Sequence, residues 1–182
     1  MSNAALTLKL RDFLKNAQRV AVVGVGQRLR SDDAAGVLAA EELFKRFSGS
    51  DELPLNLSQK EFHAADRLLR IFIGAETPES LTGLLRRFEP SHVLFLDAAR
   101  MGGEPGSIDL VPTSEIHGDE ISSHNIPLSI LGKFLQMDMG ASSMLLGIEP
   151  LTIDLSVDAQ LSEQVQLAVT RAAELLFDAL QQ

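Results

Sequence analysis

Residues 19–25, Arg-Val-Ala-Val-Val-Gly-Val, form a continuous apolar run that leads through a glycine-containing loop into a helical pattern. A run this short and this uniformly apolar must be covered on both faces, as happens to a strand inside a parallel sheet. The pattern recurs along the chain. Residues 69–73, 92–97 (His-Val-Leu-Phe-Leu-Asp) and 143–148 read as further buried strands, while the alternation in 107–111 suits an edge strand. Helical spacing fills the intervals. Residues 6–16 place Leu6, Leu10, Phe13 and Leu14 on one face, and 33–47, 77–88 and 126–137 predict three more helices. Residues 159–180 predict a long closing helix that turns Leu161, Val165, Ala168, Val169, Ala172, Leu175 and Leu176 inward.

Strands alternating with helices imply an α/β fold, a three-layer α/β/α sandwich on a mostly parallel sheet. Residues 1–182 are expected to form a single α/β domain. Residues 1–17 would be an N-terminal helical extension, and 48–66, with weak periodicity, a loop or insertion.

Composition removes several function classes. There is no cysteine, so thiol nucleophiles, thiolate zinc sites, iron–sulfur clusters and disulfides are excluded. The net charge of -9 and the scattered basic residues argue against nucleic acid as a partner. No apolar run is long enough to cross a bilayer, so no membrane insertion is expected. The N-terminus lacks the charged-then-apolar pattern of a secretory signal, and a cytoplasmic location is expected. Nothing announces an oligomer interface, and a monomer is the default.

The loop after the first strand, Gly24-Val25-Gly26-Gln27-Arg28-Leu29-Arg30-Ser31-Asp32-Asp33-Ala34-Ala35-Gly36, is the sharpest local feature. In open α/β sheets ligands bind beyond the carboxyl ends of the strands, so a site belongs here. A dinucleotide turn fits poorly. Leu29 stands where the third glycine belongs, Asp32 and Asp33 would repel a pyrophosphate, and no acid ends a second strand roughly 20 residues on, where a ribose would be read. Asp32 is read as the cap of the following helix. Asp33 has a further reading, because two other donors converge on it.

Asp97 ends an otherwise apolar strand at the carboxyl edge of the sheet, and His124 lies in a polar loop just before a helix. Two carboxylates and an imidazole from three separate loops suit a first-row divalent ion. If the first and third strands are neighbours with the second outside, their ends flank the switch point where the crevice forms. No H-E-x-x-H helix and no G-x-S-x-G elbow occurs. His63 falls in the 48–66 stretch, His92 at the amino end of its strand, and His117 in the loop before Ser122.

These segments resemble the hydrogenase maturation endopeptidases, which trim the large subunit of [NiFe] hydrogenases. Gly24-Val25-Gly26 followed by Asp32-Asp33 is similar to the family's first motif. Leu96-Asp97-Ala98 with Met101-Gly102 and Pro105-Gly106 is similar to its second. Ser123-His124-Asn125-Ile126-Pro127-Leu128 with Leu146-Gly147-Ile148-Glu149-Pro150 is similar to its third, in the branch serving hydrogenase 3. The resemblance implies a five-stranded sheet ordered 2-1-3-5-4 with one antiparallel strand. It also implies catalytic and metal-binding roles for Asp33, Asp97 and His124, with Gly24, Gly26, Gln27 and Asp32 forming the loop that supports the site. Gln27 replaces the family's usual asparagine, with Arg28 and Arg30 behind it.

The implied reaction is cleavage of one peptide bond near the C-terminus of the large-subunit precursor after nickel insertion. The three side chains would then meet nickel already held by the substrate. A non-catalytic chaperone for the nickel-loaded precursor is the main alternative, followed by a dinucleotide-binding oxidoreductase. Cleavage separates the first two, and nucleotide titration tests the third.

Overall fold

The computed structural model describes residues 3–116, 127–154 and 160–182. Its elements in chain order are α1 (Asn3–Leu14), β1 (Arg19–Val25), α2 (Ala35–Ser48), β2 (Glu61–Ala64), β3 (Arg67–Ala75) and α3 (Thr82–Phe88). They continue with β4 (His92–Ala98), β5 (Ile108–Pro112), α4 (Leu128–Met139), β6 (Ser142–Ile148) and α5 (Glu163–Leu180). One six-stranded sheet runs in the order β2-β3-β1-β4-β6-β5. Strands β3, β1, β4 and β6 are parallel, with Val22 opposite both Ile71 and Leu94, and Leu94 opposite Met144. Strand β2 runs antiparallel to β3 and β5 antiparallel to β6, one at each edge.

The expected five-stranded sheet with a single antiparallel member is therefore corrected to six strands with two. Setting β2 aside recovers the expected order 2-1-3-5-4. The sixth strand lies within 48–66, the stretch read as a loop or insertion. Its four residues alternate exposed and buried, too briefly for periodicity to stand out. What holds it is the hairpin into β3 through Ala65, whose φ of 54° is left-handed, and an ion pair between Glu61 and Arg70 at 2.6 Å.

Alternation along the parallel strands divides the core into two layers. Val20 and Val22 of β1 face one side, where they join Leu94, Leu96 and Leu146 beneath α1, α2 and α5. Ala21, Val23 and Val25 face the other, against Phe72, Val93, Phe95 and the inner residues of α3 and α4. Every apolar position that the spacing assigns to the inner face of α1 is at least partly buried, and Leu6, Leu10 and Leu14 are fully so. The chain is thus a three-layer α/β/α sandwich. Among the described residues, no helix is long and apolar enough to cross a membrane.

Candidate active site

The site begins where β1 ends. Gly26 has φ 128°, a conformation that side-chain-bearing residues rarely adopt, and a Cβ there would lie 1.8 Å from the Asp33 carbonyl oxygen. The Gly26 N–H donates to the Ala75 carbonyl at the end of β3 (3.0 Å). The loop then folds back on itself. The Arg30 N–H donates to the Gln27 carbonyl and the Asp33 N–H to the Arg30 carbonyl, leading into a 3₁₀ turn over Ser31–Ala34. At the centre, the Gln27 backbone N–H donates to Asp33 Oδ2 at 2.9 Å and fixes the carboxylate's orientation. Asp33 is buried. The Gln27 N–H that would face a phosphate in a dinucleotide turn is thus taken by an acid.

Asp97 sits on β4 opposite Gly147 of β6 and is also fully buried. Gly36 packs the segment that carries Asp33 against the strand that carries Asp97. A Cβ at Gly36 would lie 2.0 Å from the Leu96 carbonyl oxygen and 2.4 Å from that of Val25. The first turn of α2 therefore rests on the seam between β1 and β4, which are neighbours in the sheet. Asp33 precedes Gly36 by three residues and Asp97 follows Leu96. Both acids consequently occupy the carboxyl ends of adjacent central strands, with β3 beyond β1 and β6 beyond β4, which is the switch point anticipated from the sequence. Gly24 helps seat the same helix, since its added Cβ would meet the Ala40 Cβ at 2.7 Å.

His124 lies outside the described residues, as does His117. His63 is exposed on the edge strand β2, and His92 opens β4 at the opposite end of the sheet from the acids. Burial, then the nearby Arg67 charge, holds the His92 imidazole below its ordinary pKa. Among the described residues, no three His, Asp or Glu side chains gather as a metal-holding group.

The cap assigned to Asp32 is corrected. No side-chain cap bond is made at the start of the 3₁₀ turn or of α2, because Asp32 lies inside that turn instead of ahead of it. Its carboxylate instead reaches the connection between β6 and α5. Oδ2 accepts the N–H groups of Leu151 (2.9 Å) and Thr152 (3.1 Å) and the Ser162 hydroxyl (3.0 Å), while Oδ1 accepts the Ser162 N–H (2.7 Å). The Asp32 N–H in turn donates to the Thr152 carbonyl. The two cations of the loop are also spoken for. Arg28 pairs with Glu41 of α2, and the Arg30 Nε–H donates to the Ile153 carbonyl at 3.2 Å.

Glu149 enters the sequence reading only as part of a motif, yet it is buried immediately after β6. Its Oε2 accepts the Met101 N–H at 2.6 Å and the Gly103 N–H at 3.1 Å. The only local signal for it is a carboxylate placed between an apolar strand and a proline.

A mostly parallel open sheet with two buried carboxylates at the carboxyl ends of neighbouring strands defines a three-layer α/β protein with an acidic site at its switch point. The sequence model for hydrogenase maturation proteases matches residues 59–179. A Methanocaldococcus jannaschii protein that carries a provisional hydrogenase-maturation-protease name is 30% identical over 173 residues, covering 95% of each chain. The hydrogenase 3 maturation protease of Escherichia coli K12 is 28% identical over 127 residues, or 69% of each. Among solved structures, the [NiFe] hydrogenase maturation protease HycI from Thermococcus kodakarensis aligns with a TM-score of 0.77 at 29% identity. That alignment covers 96% of this chain and 99% of the other. The chain belongs to the hydrogenase maturation protease family, and it is accordingly a proteolytic hydrolase.

Proposed function

We propose that this protein removes the C-terminal extension of a [NiFe]-hydrogenase large-subunit precursor once nickel has been inserted. The observation that carries the reading is the pair of buried carboxylates, Asp33 and Asp97, at the carboxyl ends of adjacent strands in a member of this protease family. Two carboxylates with the imidazole of His124 make an oxygen-and-nitrogen donor set suited to a first-row divalent ion. Nickel is the substrate's own. A cation already held by the precursor would be recognised by these side chains, so that only loaded precursor is cut.

Nickel so placed supplies Lewis acidity toward a carbonyl or a water. The chain's own residues supply the rest. The Gln27 N–H holds the Asp33 carboxylate in one orientation, and the carboxylate not engaged by the cation acts as general base on the attacking water. Burial of both acids excludes competing solvent and strengthens their field. The protein would act as a monomer in the cytoplasm.

The test is intact mass spectrometry of a C-terminally extended large subunit, with and without nickel, after incubation with this protein. A single C-terminal loss confined to the nickel-loaded sample is expected. Binding without loss would replace the protease reading with the chaperone one. A stoichiometric metal surviving chelation in the free protein would sink the proposal that nickel arrives with the substrate.

A further inference from the structure

Two carboxylates at this sheet edge have no place in the proposed donor set, yet Asp32 and Glu149 are buried like the donors themselves, at 0% and 6% exposure. A buried carboxylate is costly unless donors surround it, and both of these are met by donors from another loop. Asp32 takes its four hydrogen bonds from Leu151, Thr152 and Ser162, all on the connection between β6 and α5. Glu149 starts that same connection and reaches the opposite way, to Met101 and Gly103 in the loop that follows Asp97. The Glu149 backbone reinforces the link, its N–H donating to the Ser107 carbonyl and its carbonyl accepting the Gly106 N–H.

The topology gives these contacts a direction. Asp33 is carried by the loop after β1 and Asp97 by the end of β4, with the β4–β5 loop continuing from it. One residue before Asp33, Asp32 is bonded to the β6–α5 connection; four residues after Asp97, Met101 is bonded to it from the other side. We infer that Asp32 and Glu149 are positioning residues: together they brace the Asp33 and Asp97 carboxylates at a fixed separation through the β6–α5 connection. The inference rests on the proposed roles of Asp33 and Asp97.

The bond pattern separates conservative variants from truncations. Both Glu149 bonds fall on Oε2 alone, so Glu149→Gln retains them with its amide oxygen there, while Glu149→Ala loses both. Three of the four Asp32 bonds fall on Oδ2, so Asp32→Asn keeps three and turns its NH₂ against the Ser162 N–H, while Asp32→Ala keeps none. Misplacement of a catalytic group by about 1 Å can cost on the order of 100-fold in rate.

The experiment is steady-state processing of nickel-loaded precursor by the four variants, well below each one's melting midpoint. Expected are a fall in kcat of roughly 10- to 100-fold for Asp32→Ala and Glu149→Ala with KM within about threefold, recovery to within about threefold in Glu149→Gln, and an intermediate Asp32→Asn. The Asp32→Ala/Glu149→Ala double variant should lose less than the product of the two singles, because both act through one connection. Folded truncations with native kcat, or a Glu149→Gln no better than Glu149→Ala, would overturn the inference. Wild-type protein without activity would fail the proposed function instead. The brace is then read from amide exchange, where Glu149→Ala must accelerate exchange in 31–36 as well as 101–103, and acceleration confined to 101–103 would overturn it.

Discussion

Replacing Gly36 with alanine tests the packing of the Asp33 segment against the strand that carries Asp97. The added Cβ would stand 2.0 Å from the Leu96 carbonyl oxygen, 2.5 Å from its carbonyl carbon and 2.4 Å from the Val25 carbonyl oxygen. Close C···O contacts settle near 3.3 Å, so the first turn of α2 must withdraw by about 1.3 Å. The obstructing atoms are main-chain carbonyls of β1 and β4, held within the central sheet, and they cannot rotate aside as a side chain would. Withdrawal also lifts Val37, Ala40, Leu43 and Phe44, all buried beneath α2. Overpacking of a core costs roughly 1–3 kcal/mol, and a rigid double clash belongs at the upper end, about 3 kcal/mol. For a chain of this size each kcal/mol moves the melting midpoint by roughly 2–4 °C, so a fall of about 6–12 °C is expected by circular dichroism. Gly49→Ala is the control: φ there is 66° and nothing lies within 4 Å of the added Cβ, leaving only a left-handed backbone cost of about 1–2 kcal/mol. If Gly36→Ala melted within about 2 °C of wild type, or no lower than Gly49→Ala, the seating of α2 on the β1–β4 seam would be refuted.

Other expectations follow from single contacts. Asp97→Asn and His124→Ala should each abolish processing while preserving the far-ultraviolet spectrum, and a variant that fails to fold would reassign its residue to a structural role. Arg67→Met removes a buried guanidinium that donates to the Ala17 and Leu180 carbonyls, at a cost of about 2 kcal/mol or roughly 4–8 °C, and an unchanged midpoint would deny those bonds any net stabilisation. His92, depressed chiefly by burial, binds protons more readily when unfolded. Its contribution to stability is complete above its unfolded pKa of about 6.5 and is lost as pH falls toward the lower folded value. Urea unfolding at pH 7.0 and 5.5 should therefore show a smaller acid loss in His92→Gln than in wild type, and equal losses would contradict the assignment.

Parallel strands buried on both faces carry an uninterrupted apolar signal, and β1, β3, β4 and β6 were legible for that reason. Strand β2 was not, because four residues leave no periodicity to read and its pairing depends on a reversal at Ala65. The positions of Asp33 and Asp97 were legible through topology, since strand ends at a switch point are defined by connection order. The partners of Asp32 were not. An acid at a helix start reads the same whether it caps the next turn or bonds a segment more than a hundred residues away, and only the folded chain brings Leu151 and Ser162 to it. Glu149 was hidden likewise, because its donors, Met101 and Gly103, belong to the loop between β4 and β5, which adjoins β6 only once those two strands have paired with it.

The placement of buried charge gives the sheet a polarity that bears on what can dock at the site. Among the described residues, the buried carboxylates Asp32, Asp33, Asp97 and Glu149 all fall at the carboxyl ends of the parallel strands. The buried cation, Arg67, opens β3 at the amino end, near His92. At the acidic end, Arg28 is engaged by Glu41, Arg30 donates to the Ile153 carbonyl, and backbone N–H groups solvate Asp32 and Glu149. Neutral N–H and carbonyl dipoles cancel no formal charge on either side, so four buried acidic side chains stand against Arg30 and the edge is acidic on balance. A phosphate approaching this edge would meet repulsion, whereas a divalent cation carried by a partner protein would be attracted. Under the proposed function, the carboxylates that shape the loops would also select the sign of the group that enters, which gives a physical reason for a metal-loaded precursor to be preferred over a nucleotide.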